Sequence, residues 1–501
     1  MARKRHVIGI DSSTQSTKAI VWNEDGRAVA EGRATIALST PQPGYAEQNC
    51  EDWWDALTVS VSAAVATVGA DTVDAVAISN QRETVAFLDA DGCALRPAMV
   101  WLDERSIGSY AAYADQMGRD WLHRTTGKPV DTIPVVYRLD WLRQNDPTML
   151  ESCDRIVDVH AFLTGRLTGR KAASWSSADP FGIFDITAMD WSDPILDSVG
   201  VRRQQLPDLL KPGSRVGAIT EAASQQTGLR PGTPVFAGGG DGQCAGLGTN
   251  AMEPGTVYLN LGTATVTGVY SPTPATDLHW RTMTAPTGEG YFLEALQKAG
   301  AFFVNWVVDN FAGGRDDPGA FDRLEAAAAQ LPIGSQGLTM TPHIIGVMNP
   351  HWDPAARAAI VGLSANHGRA HFYRAALEAL TAEITRGIQA MAAEGLALER
   401  IRAIGGGAQS RLWLQMLADA ADLPVERSRT VEASALGAGI VAAVGAGWFP
   451  NYPTAAAAMT AIDQTVYPRP EYASQWKSLC ARQGRIYADT RAYGRGMIDG
   501  R

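Results

Sequence analysis

Cysteine is scarce in this sequence and follows no pattern. The five cysteines, Cys50, Cys93, Cys153, Cys244 and Cys480, are odd in number and widely scattered, and no two have the spacing of metal ligands. We therefore expect neither a disulfide framework nor a cysteine-based zinc site. A reduced, cytoplasmic location fits this composition best.

Long hydrophobic runs and positive charge are also lacking. No run of about 20 apolar residues occurs, so no transmembrane helix is expected. The basic opening, residues 1–6, is followed only by a short apolar stretch before Asp11, so we predict no secretion signal. The formal net charge of −10 offers no basic field to a nucleic-acid backbone or an anionic membrane. Neither nucleic acid nor a membrane is expected as a partner.

Two widespread nucleotide-binding patterns are missing after the first predicted strand. Neither the P-loop pattern Gly-x-x-x-x-Gly-Lys nor the dinucleotide pattern Gly-x-Gly-x-x-Gly follows it. These two classes of nucleotide-binding protein therefore lose support.

A theme of strand, short turn and strand occurs twice. The chain has 501 residues with 46% hydrophobic and 19% charged residues, which suits two large globular domains. The first copy consists of strands 6–10 and 18–22 around a polar turn at 11–17, with a third strand at 27–37, and the second of strands 257–261 and 266–270 around a turn at 262–265. We predict an α/β protein with two related lobes, residues 1–247 and 248–501, and a hinge near 246–254.

Helical periodicity and buried strands complete this outline. Helices are predicted at 51–68, 136–144, 369–391 and 411–421, an alanine-rich helix at 455–459, and buried strands at 73–79 and 235–237. The alternation of strands and helices favours the α/β class.

The two hairpin tips have the residues that a triphosphate site needs. Asp11-Ser12-Ser13-Thr14 and Gly262-Thr263 are small and polar, so they can expose backbone N–H groups and hydroxyls in a concave turn. Asp11 is suited to hold hydrated Mg²⁺, and Lys18 could place positive charge near the phosphates. The alternative is that both tips are ordinary turns.

Two glycine triplets end predicted strands. Gly405-Gly406-Gly407 leads into the helix that begins near Arg411, where a flat ring or phosphate could lie against the backbone. Gly238-Gly239-Gly240 brings Asp241 to the edge of the sheet, where a carboxylate could take the proton of an attacking hydroxyl. A tight turn and a solvated turn acid are the alternatives.

The segment Asn80-Gln81-Arg82-Glu83-Thr84 follows another buried strand. Its amide, guanidinium and carboxylate groups could hold the hydroxyls of a polyol, although a surface salt-bridge cluster would have the same composition. The segment 100–105 adds Trp101 as a sugar platform or core residue, with further acids.

Taken together, these motifs resemble the FGGY carbohydrate kinases, the family of glycerol kinase and xylulokinase, over essentially the whole chain. Residues 8–14 look like the first phosphate loop, 262–263 like the second and 405–408 like the adenosine motif, and 358–363 with 371–378 is similar to the C-terminal signature. The resemblance implies two ribonuclease-H-like, actin-type domains with ATP and Mg²⁺ in the cleft between them, and a catalytic-base role for Asp241.

With this resemblance we predict three groups of site residues. The substrate group is Gln81, Arg82, Glu83, Trp101, Asp103, Asp241 and Gln243; the ATP group is Ser12, Ser13, Thr14, Lys18, Gly262, Thr263, Asn305, Gly406, Gly407 and Arg411; and the metal group is Asp11 and Asp241. One departure is that the family's first signature usually has Lys three residues before a Trp, where this chain has Arg138 before Trp141.

The substrate preference divides between two members of the family. The segments 80–84 and 352–357 look like glycerol kinase, whereas the position of its substrate tyrosine is Ile133 here and the aromatic after its second phosphate loop is Val266. Residues 53–54, 238–241 and 405–419 are similar to xylulokinase. Because losing two aromatic walls widens the pocket, we favour a ketopentose such as xylulose over glycerol, with erythritol-type polyols left open.

Two hypotheses from other classes stay open. An actin- or chaperone-like ATPase would use the same lobes, but the polar segment 80–84 and the lack of a peptide-binding domain after residue 380 speak against it. A sugar-binding regulator without catalysis would be expected to lack the acid at position 241, where Asp241 stands. A homodimer is left open.

Overall fold

The structure is a computed structural model that describes residues 5–498, so the first four residues of the basic opening lie outside it. Its first half has these strands: β1 His6–Ser12, β2 Ser16–Trp22, β3 Ala28–Thr35, β4 Glu47–Gln48, β5 Val73–Asn80, β6 Ala86–Leu88, β7 Ala98–Met99, β8 Arg155–Val157, β9 Ala172–Ser174, β10 Phe184–Asp185, β11 Asp190–Trp191, β12 Asp208–Leu210, β13 Arg215–Ala218 and β14 Pro234–Gly240. Its helices are α1 Cys50–Val68, α2 Tyr110–Met117, α3 Arg119–Thr126, α4 Val135–Asn145, α5 Pro147–Ser152, α6 Val159–Thr168, α7 Trp175–Ala178, α8 Asp193–Val199, α9 Glu221–Thr227 and α10 Asp241–Gly248.

The second half continues the same alternation. Its strands are β15 Thr256–Leu261, β16 Thr265–Ser271, β17 Arg281–Thr284, β18 Tyr291–Gln297, β19 Thr339–Met340, β20 Ile360–Val361, β21 Arg400–Ile404, β22 Val425–Ser428 and β23 Ile462–Val466. Its helices are α11 Ala301–Phe311, α12 Ala320–Ala329, α13 Arg369–Ala393, α14 Arg411–Ala421, α15 Ala433–Gly445, α16 Tyr452–Met459 and α17 Ala473–Ile498.

Two large sheets repeat one topology. The first has six strands in the order β13-β14-β5-β1-β2-β3, and the second has seven in the order β17-β18-β16-β15-β21-β22-β23. In each sheet an antiparallel meander leads to two parallel strands and an antiparallel edge strand, and the second sheet adds β17 at the other edge. The predicted duplication of an α/β unit is therefore confirmed.

The predicted elements are present, with a few displaced bounds. In the first hairpin β1 extends through Asp11 and Ser12, so the tip is shorter than the predicted turn at 11–17. Asp11 is fixed opposite Lys18 in the strand register. The triplet Gly238–Gly240 is part of β14. Gly238 lies so close to the backbone of Ile78 that a Cβ atom would stand 2.0 Å from its carbonyl oxygen, so only glycine allows this approach.

The predicted hinge begins inside a helix. Helix α10 runs through Gly248, so the first residues of the 246–254 segment are helical, and the irregular connection to β15 spans 249–255. Two carbonyl groups of this connection, those of Thr249 and Asn250, accept hydrogen bonds from Arg402.

Helices α10 and α15 pack against each other between the two sheets. A Cβ atom on Gly437 would stand 1.8 Å from the carbonyl oxygen of Cys244, so only glycine allows this close approach. Helix α15 also packs on the first sheet, where a Cβ atom on Gly9 would stand 1.8 Å from the carbonyl oxygen of Ala435. A helix from the second half of the chain therefore completes the core of the first sheet. The division into domains at 247/248 stays a prediction.

Candidate active site

A cavity of about 280 Å³ lies between the two halves of the chain. Its lining residues come from both: Thr14, Arg82, Glu83, Trp101, Leu102, Glu104, Thr132, Ile133 and Asp241 from the first, and Ala264, Val266, Arg281, Leu296, Lys298 and Ile345 from the second. Four of the seven residues predicted for the substrate therefore line one cavity, together with Thr14 from the predicted phosphate loop.

The loop after β5 is buried in this cavity wall. The Arg82 side chain is only 8% exposed; its Nε lies 2.9 Å from Asp241 Oδ1, and its Nη1 lies 2.9 Å from Glu294 Oε2. Glu83 is also buried, and its Oε1 accepts a hydrogen bond of 2.7 Å from Arg281. The alternative of a surface salt-bridge cluster is wrong, because these charges lie in the interior and pair across the two halves.

Arg281 and Glu294 are the residues that sequence reasoning missed. They face each other in the register of β17 and β18, and Arg281 lies 2.7 Å from Glu294 Oε1. Glu294 is fully buried within the otherwise apolar run Tyr-Phe-Leu-Glu-Ala-Leu. A single acid inside such a run needs a buried cation, and this signal could have drawn attention to it.

The pKa directions show how the charges are balanced. Burial alone would lower the pKa of Arg82, but the charges of Glu294, Asp241 and Glu83 raise it. Burial would raise the pKa of Glu294, yet Arg82 and Arg281 hold it below its usual value. For Glu83 burial prevails over Arg281 and Arg82, so its pKa is raised. Glu83 is thus less fully compensated than Glu294.

Asp241 begins helix α10 at the edge of the first sheet, as predicted from the glycine triplet. Its side chain is 39% exposed, and Oδ1 accepts the backbone N–H of Gly242 at 2.8 Å. The first turn of a helix favours negative charge. The carboxylate is therefore fixed by Arg82 and by the helix while it remains accessible from the cavity.

Asp11 lies near Asp241 at the end of β1. Ser79 donates a hydrogen bond of 3.1 Å to its Oδ1, and burial together with the charge of Asp241 raises the pKa of Asp11 to about 7. Lys18, which was predicted to face the phosphates, lies 2.6 Å from Glu432. Among residues 5–498 no group of three or more His, Cys, Asp or Glu side chains forms a metal-binding cluster.

Trp101 connects the cavity wall to the first hairpin tip. Its Nε1 donates a hydrogen bond of 2.9 Å to Thr14 Oγ1, while Gln48 donates one of 2.6 Å to the Thr14 carbonyl. Ile133, Leu296 and Met348 form an apolar cluster against which Trp101 and Val266 pack. The two positions at which aromatic walls were predicted to be lost, Ile133 and Val266, both line the cavity.

The other predicted substrate residues lie behind the cavity wall. Gln81 donates to Gln48 at 2.9 Å, and Asp103 lies 2.7 Å from Arg105. Gln243 accepts a hydrogen bond of 3.3 Å from Arg82 and donates one of 3.1 Å to the Ser176 carbonyl. In this structure they support the residues that line the cavity.

Five of the predicted ATP residues belong to the two hairpin tips: Ser12, Ser13, Thr14, Gly262 and Thr263. Ser12 accepts from Thr17 at 3.3 Å, and Ser13 donates to the Ser16 carbonyl at 2.8 Å. The carbonyls of Gly262 and Thr263 accept N–H groups at the start of α11, the helix that contains Asn305.

The glycine triplet 405–407 adjoins the second tip. Gly405 has φ of 88° and lies against Leu261, while Gly406 faces open space and begins the 3-10 helix Gly406–Gln409. Arg411 is exposed at the first residue of α14.

Arg138 is fully buried beneath the cavity. Its guanidinium donates to the carbonyls of Glu83 at 2.5 Å, Ile133 at 2.8 Å, Val100 at 2.5 Å and Met99 at 3.2 Å. It therefore ties together three segments of the cavity wall, which a lysine could not span in the same way.

Comparison with known proteins gives the same assignment across the chain. Residues 6–248 match the model for the FGGY family of carbohydrate kinases, N-terminal domain, and residues 257–446 match the model for its C-terminal domain. Within residues 5–498 no helix is long and apolar enough to cross a membrane.

Individual relatives and a solved structure agree. The chain is 28% identical over 495 residues to a xylulose kinase of Bacillus subtilis, with 97% of each chain covered. It is 30% identical over 464 residues to a glycerol kinase of Symbiobacterium thermophilum, covering 89% of this chain and 91% of that one. The crystal structure of xylulose kinase from Rhodospirillum rubrum superposes with a TM-score of 0.92 at 26% identity, covering 98% and 100%.

Proposed function

We propose a substrate and a set of residue roles for this chain, which belongs to the FGGY family of carbohydrate kinases and has the two-domain, actin-type fold of these enzymes. Kinases of this family transfer a phosphoryl group from ATP to a sugar or polyol. The proposed acceptor is a small uncharged ketose, a ketopentose such as xylulose, with Asp241 as the general base.

The observation that carries this proposal is the convergence of three groups in one cavity. Asp241, the Arg82–Glu83 loop and Thr14 all line it. Asp241 takes the proton of the sugar hydroxyl as that oxygen attacks the γ-phosphorus of ATP and the bond to ADP breaks. Arg82 orients Asp241 from a distance of 2.9 Å. Glu83 accepts a hydrogen bond from another hydroxyl of the sugar.

The charges around the cavity favour an uncharged substrate. Its lining includes the cations Arg82, Arg281 and Lys298 and the acids Glu83, Glu104 and Asp241. Glu294 adds a buried negative charge that engages both arginines. A sugar acid would bring a further carboxylate into a site whose acids already outnumber its cations.

The shape of the cavity favours a ketopentose over glycerol. The apolar part of the cavity lining consists mainly of aliphatic side chains, including Ile133, Val266 and Leu296, with Trp101 as its aromatic member. Aliphatic side chains leave more room than aromatic ones would. A glycerol kinase activity is the second candidate, because the segment 80–84 resembles that of glycerol kinase.

The phosphate side is proposed to consist of the two hairpin tips. Ser12, Ser13, Thr14, Gly262 and Thr263 would donate to the phosphates, with Lys18 and Asn305 close by, and Gly406, Gly407 and Arg411 would hold the adenosine part. Open space at Gly406 suits a flat ring. The donors come from both halves, so ATP would bridge them.

A magnesium ion fits the acids at this edge of the sheet. The raised pKa of Asp11, to about 7, reflects burial and the nearby charge of Asp241, and a divalent cation would relieve both. Mg²⁺ commonly uses one or two carboxylates together with phosphate oxygens and water, so Asp11 and Asp241 are sufficient protein ligands. When bound, it would neutralise charge on the phosphates.

A coupled ADP-release assay tests the proposal. The purified protein is supplied with ATP and Mg²⁺ and with xylulose, ribulose, erythritol, glycerol or gluconate in turn. We expect the highest kcat/KM with a ketopentose and the lowest with gluconate, because its carboxylate meets a site in which the acids, with the buried Glu294 included, outnumber the cations. A highest kcat/KM with glycerol would favour the second candidate, and turnover of gluconate alone would contradict the charge argument.

A further inference from the structure

We infer that Arg281 is a positioning residue of the sugar site, which holds the Glu83 carboxylate in place from the other half of the chain. This inference rests on the proposed function, since it assigns Glu83 a contact with the sugar. Arg281 lies on β17, and none of the motifs found in the sequence includes it.

The two carboxylate oxygens of Glu83 differ in their contacts. Arg281 Nη1 donates to Oε1 at 2.7 Å, whereas Oε2 accepts no hydrogen bond from the described residues 5–498. Glu83 lines the cavity, so Oε2 is the oxygen left for a sugar hydroxyl. Arg281 thus determines which oxygen is presented and in which direction.

Arg281 is itself held by Glu294. Its Nε donates to Glu294 Oε1 at 2.8 Å, and Arg82 Nη1 donates to the same carboxylate at 2.9 Å. Glu294 therefore connects the arginine that orients the base with the arginine that orients Glu83. The hydroxyl that reacts and the hydroxyl that is bound are aligned by one buried acid.

The loop backbone adds a second constraint on Glu83. Its φ of 50° lies in the left-handed region, which is uncommon for a residue with a side chain, and Arg138 holds its carbonyl at 2.5 Å. With the backbone fixed from below, the remaining freedom of Glu83 lies in its side chain. Arg281 is the group that removes it.

Strand β17 reaches Glu83 because it docks on the first half of the chain. The N–H of Thr282 donates to the Gly127 carbonyl at 2.8 Å, and Lys128 Nζ donates to the Thr282 carbonyl at 2.6 Å. The N–H of Thr284 donates to the Asp179 carboxylate. The sugar site is therefore complete only when β17 lies against residues 127–128 and 179.

The test compares steady-state constants of five variants with the wild type, using the ketopentose with the highest kcat/KM. The variants are Arg281→Met, Arg281→Lys, Glu83→Gln, the double variant Arg281→Met/Glu83→Gln and Arg374→Met. Arg374 is a matched control, because it is a buried arginine of the same half and does not line the cavity. Its Nε lies 2.8 Å from Glu378 Oε1. Circular dichroism and thermal melting are recorded for each.

We expect Arg281→Met to raise the KM for sugar by about tenfold or more and to change the KM for ATP less than about twofold. Arg281→Lys should recover part of the loss, since it keeps a charge that can reach one carboxylate. The double variant should have nearly the sugar KM of Glu83→Gln alone, because Arg281 acts through Glu83. Arg374→Met should lower the melting temperature without changing the KM for sugar.

Several outcomes would overturn the inference. An unchanged sugar KM in Arg281→Met, or effects of the two substitutions that add fully, would remove the positioning role while leaving the kinase assignment intact. If Arg281→Met does not fold, a sugar KM in Arg281→Lys equal to that of the wild type would have the same meaning. A wild type that turns over no sugar would instead refute the proposed function, and the inference with it.

Discussion

Replacing Arg138 with methionine should destabilise the first half of the chain and weaken sugar binding together. Methionine fills much of the same volume but donates no hydrogen bond. Four buried carbonyls would each lose one hydrogen bond. Those of Met99 and Val100 keep the N–H groups of Val85 and Asp103 as donors, whereas those of Glu83 and Ile133 lose the donor that the structure shows for them. The segments that contain Glu83, Trp101 and Ile133 would then no longer be held in register.

The size of the effect follows from two opposing contributions. The two carbonyls left without a donor cost about 2 kcal/mol each and the two that keep one cost about 1 kcal/mol each, about 6 kcal/mol together. Burial lowers the pKa of Arg138 to about 10, so the charged guanidinium is less favourable in the folded state than in water. Removing that charge returns about 3 kcal/mol, on the scale of about 1.4 kcal/mol per pKa unit. The net loss in the free energy of unfolding is about 3 kcal/mol.

Thermal melting followed by circular dichroism measures this loss. A unit of about 240 residues has an unfolding entropy near 0.5 kcal/mol/K, so about 3 kcal/mol corresponds to a fall of about 6 °C. Arg138→Lys should fall by about half as much, because an ammonium donates from a single point and cannot span four carbonyls. Sugar KM should rise in both variants. If Arg138→Met melted within about 2 °C of the wild type, the four hydrogen bonds would not stabilise the fold as argued.

Three further predictions concern catalysis and motion. Asp241→Asn should lower kcat by about 10²-fold or more with the KM for ATP nearly unchanged, and near-normal turnover would remove Asp241 from the mechanism. Trp101→Phe keeps an aromatic side chain but removes the hydrogen-bond donor to Thr14, so the KM for ATP should rise while the KM for sugar changes little. A raised KM for sugar with an unchanged KM for ATP would show that Trp101 acts on the sugar alone. Small-angle scattering should show a smaller radius of gyration with sugar plus a non-hydrolysable ATP analogue than without ligands, because phosphate donors of both halves must contact one triphosphate. An identical radius in an active protein would favour a preformed site.

The elements and residues set by neighbouring positions in the chain could be predicted from the sequence. The two hairpins, the strand that ends at Asn80 and the helix that starts at Arg411 follow from short-range patterns, and the structure has them within a few residues. Arg82, Glu83 and Asp241 could be predicted as candidate site residues because each follows a buried strand, and parallel strands end at the same edge of a sheet. Their convergence in one cavity agrees with that reasoning.

Ion pairs between residues far apart in the sequence could not be predicted in this way. Arg281 and Glu294 belong to strands without a motif, and their role appears only when β17 docks on residues 127–128. Asp103 and Gln243 could not be separated from cavity residues, because a polar side chain beside a site and one within it look alike in sequence. The fully buried Arg138 was visible only as a departure from a lysine.

Local order along the chain is enough to predict the repeated unit, the polar hairpin tips and the candidate base, because strand length, turn residues and terminal glycines act within a few positions of each other. Which charges compensate one another depends on how the chain folds over long distances. Charges separated by about 200 positions, such as Arg82 and Glu294 at 2.9 Å, meet because two sheets fold against each other, and no local pattern encodes that distance.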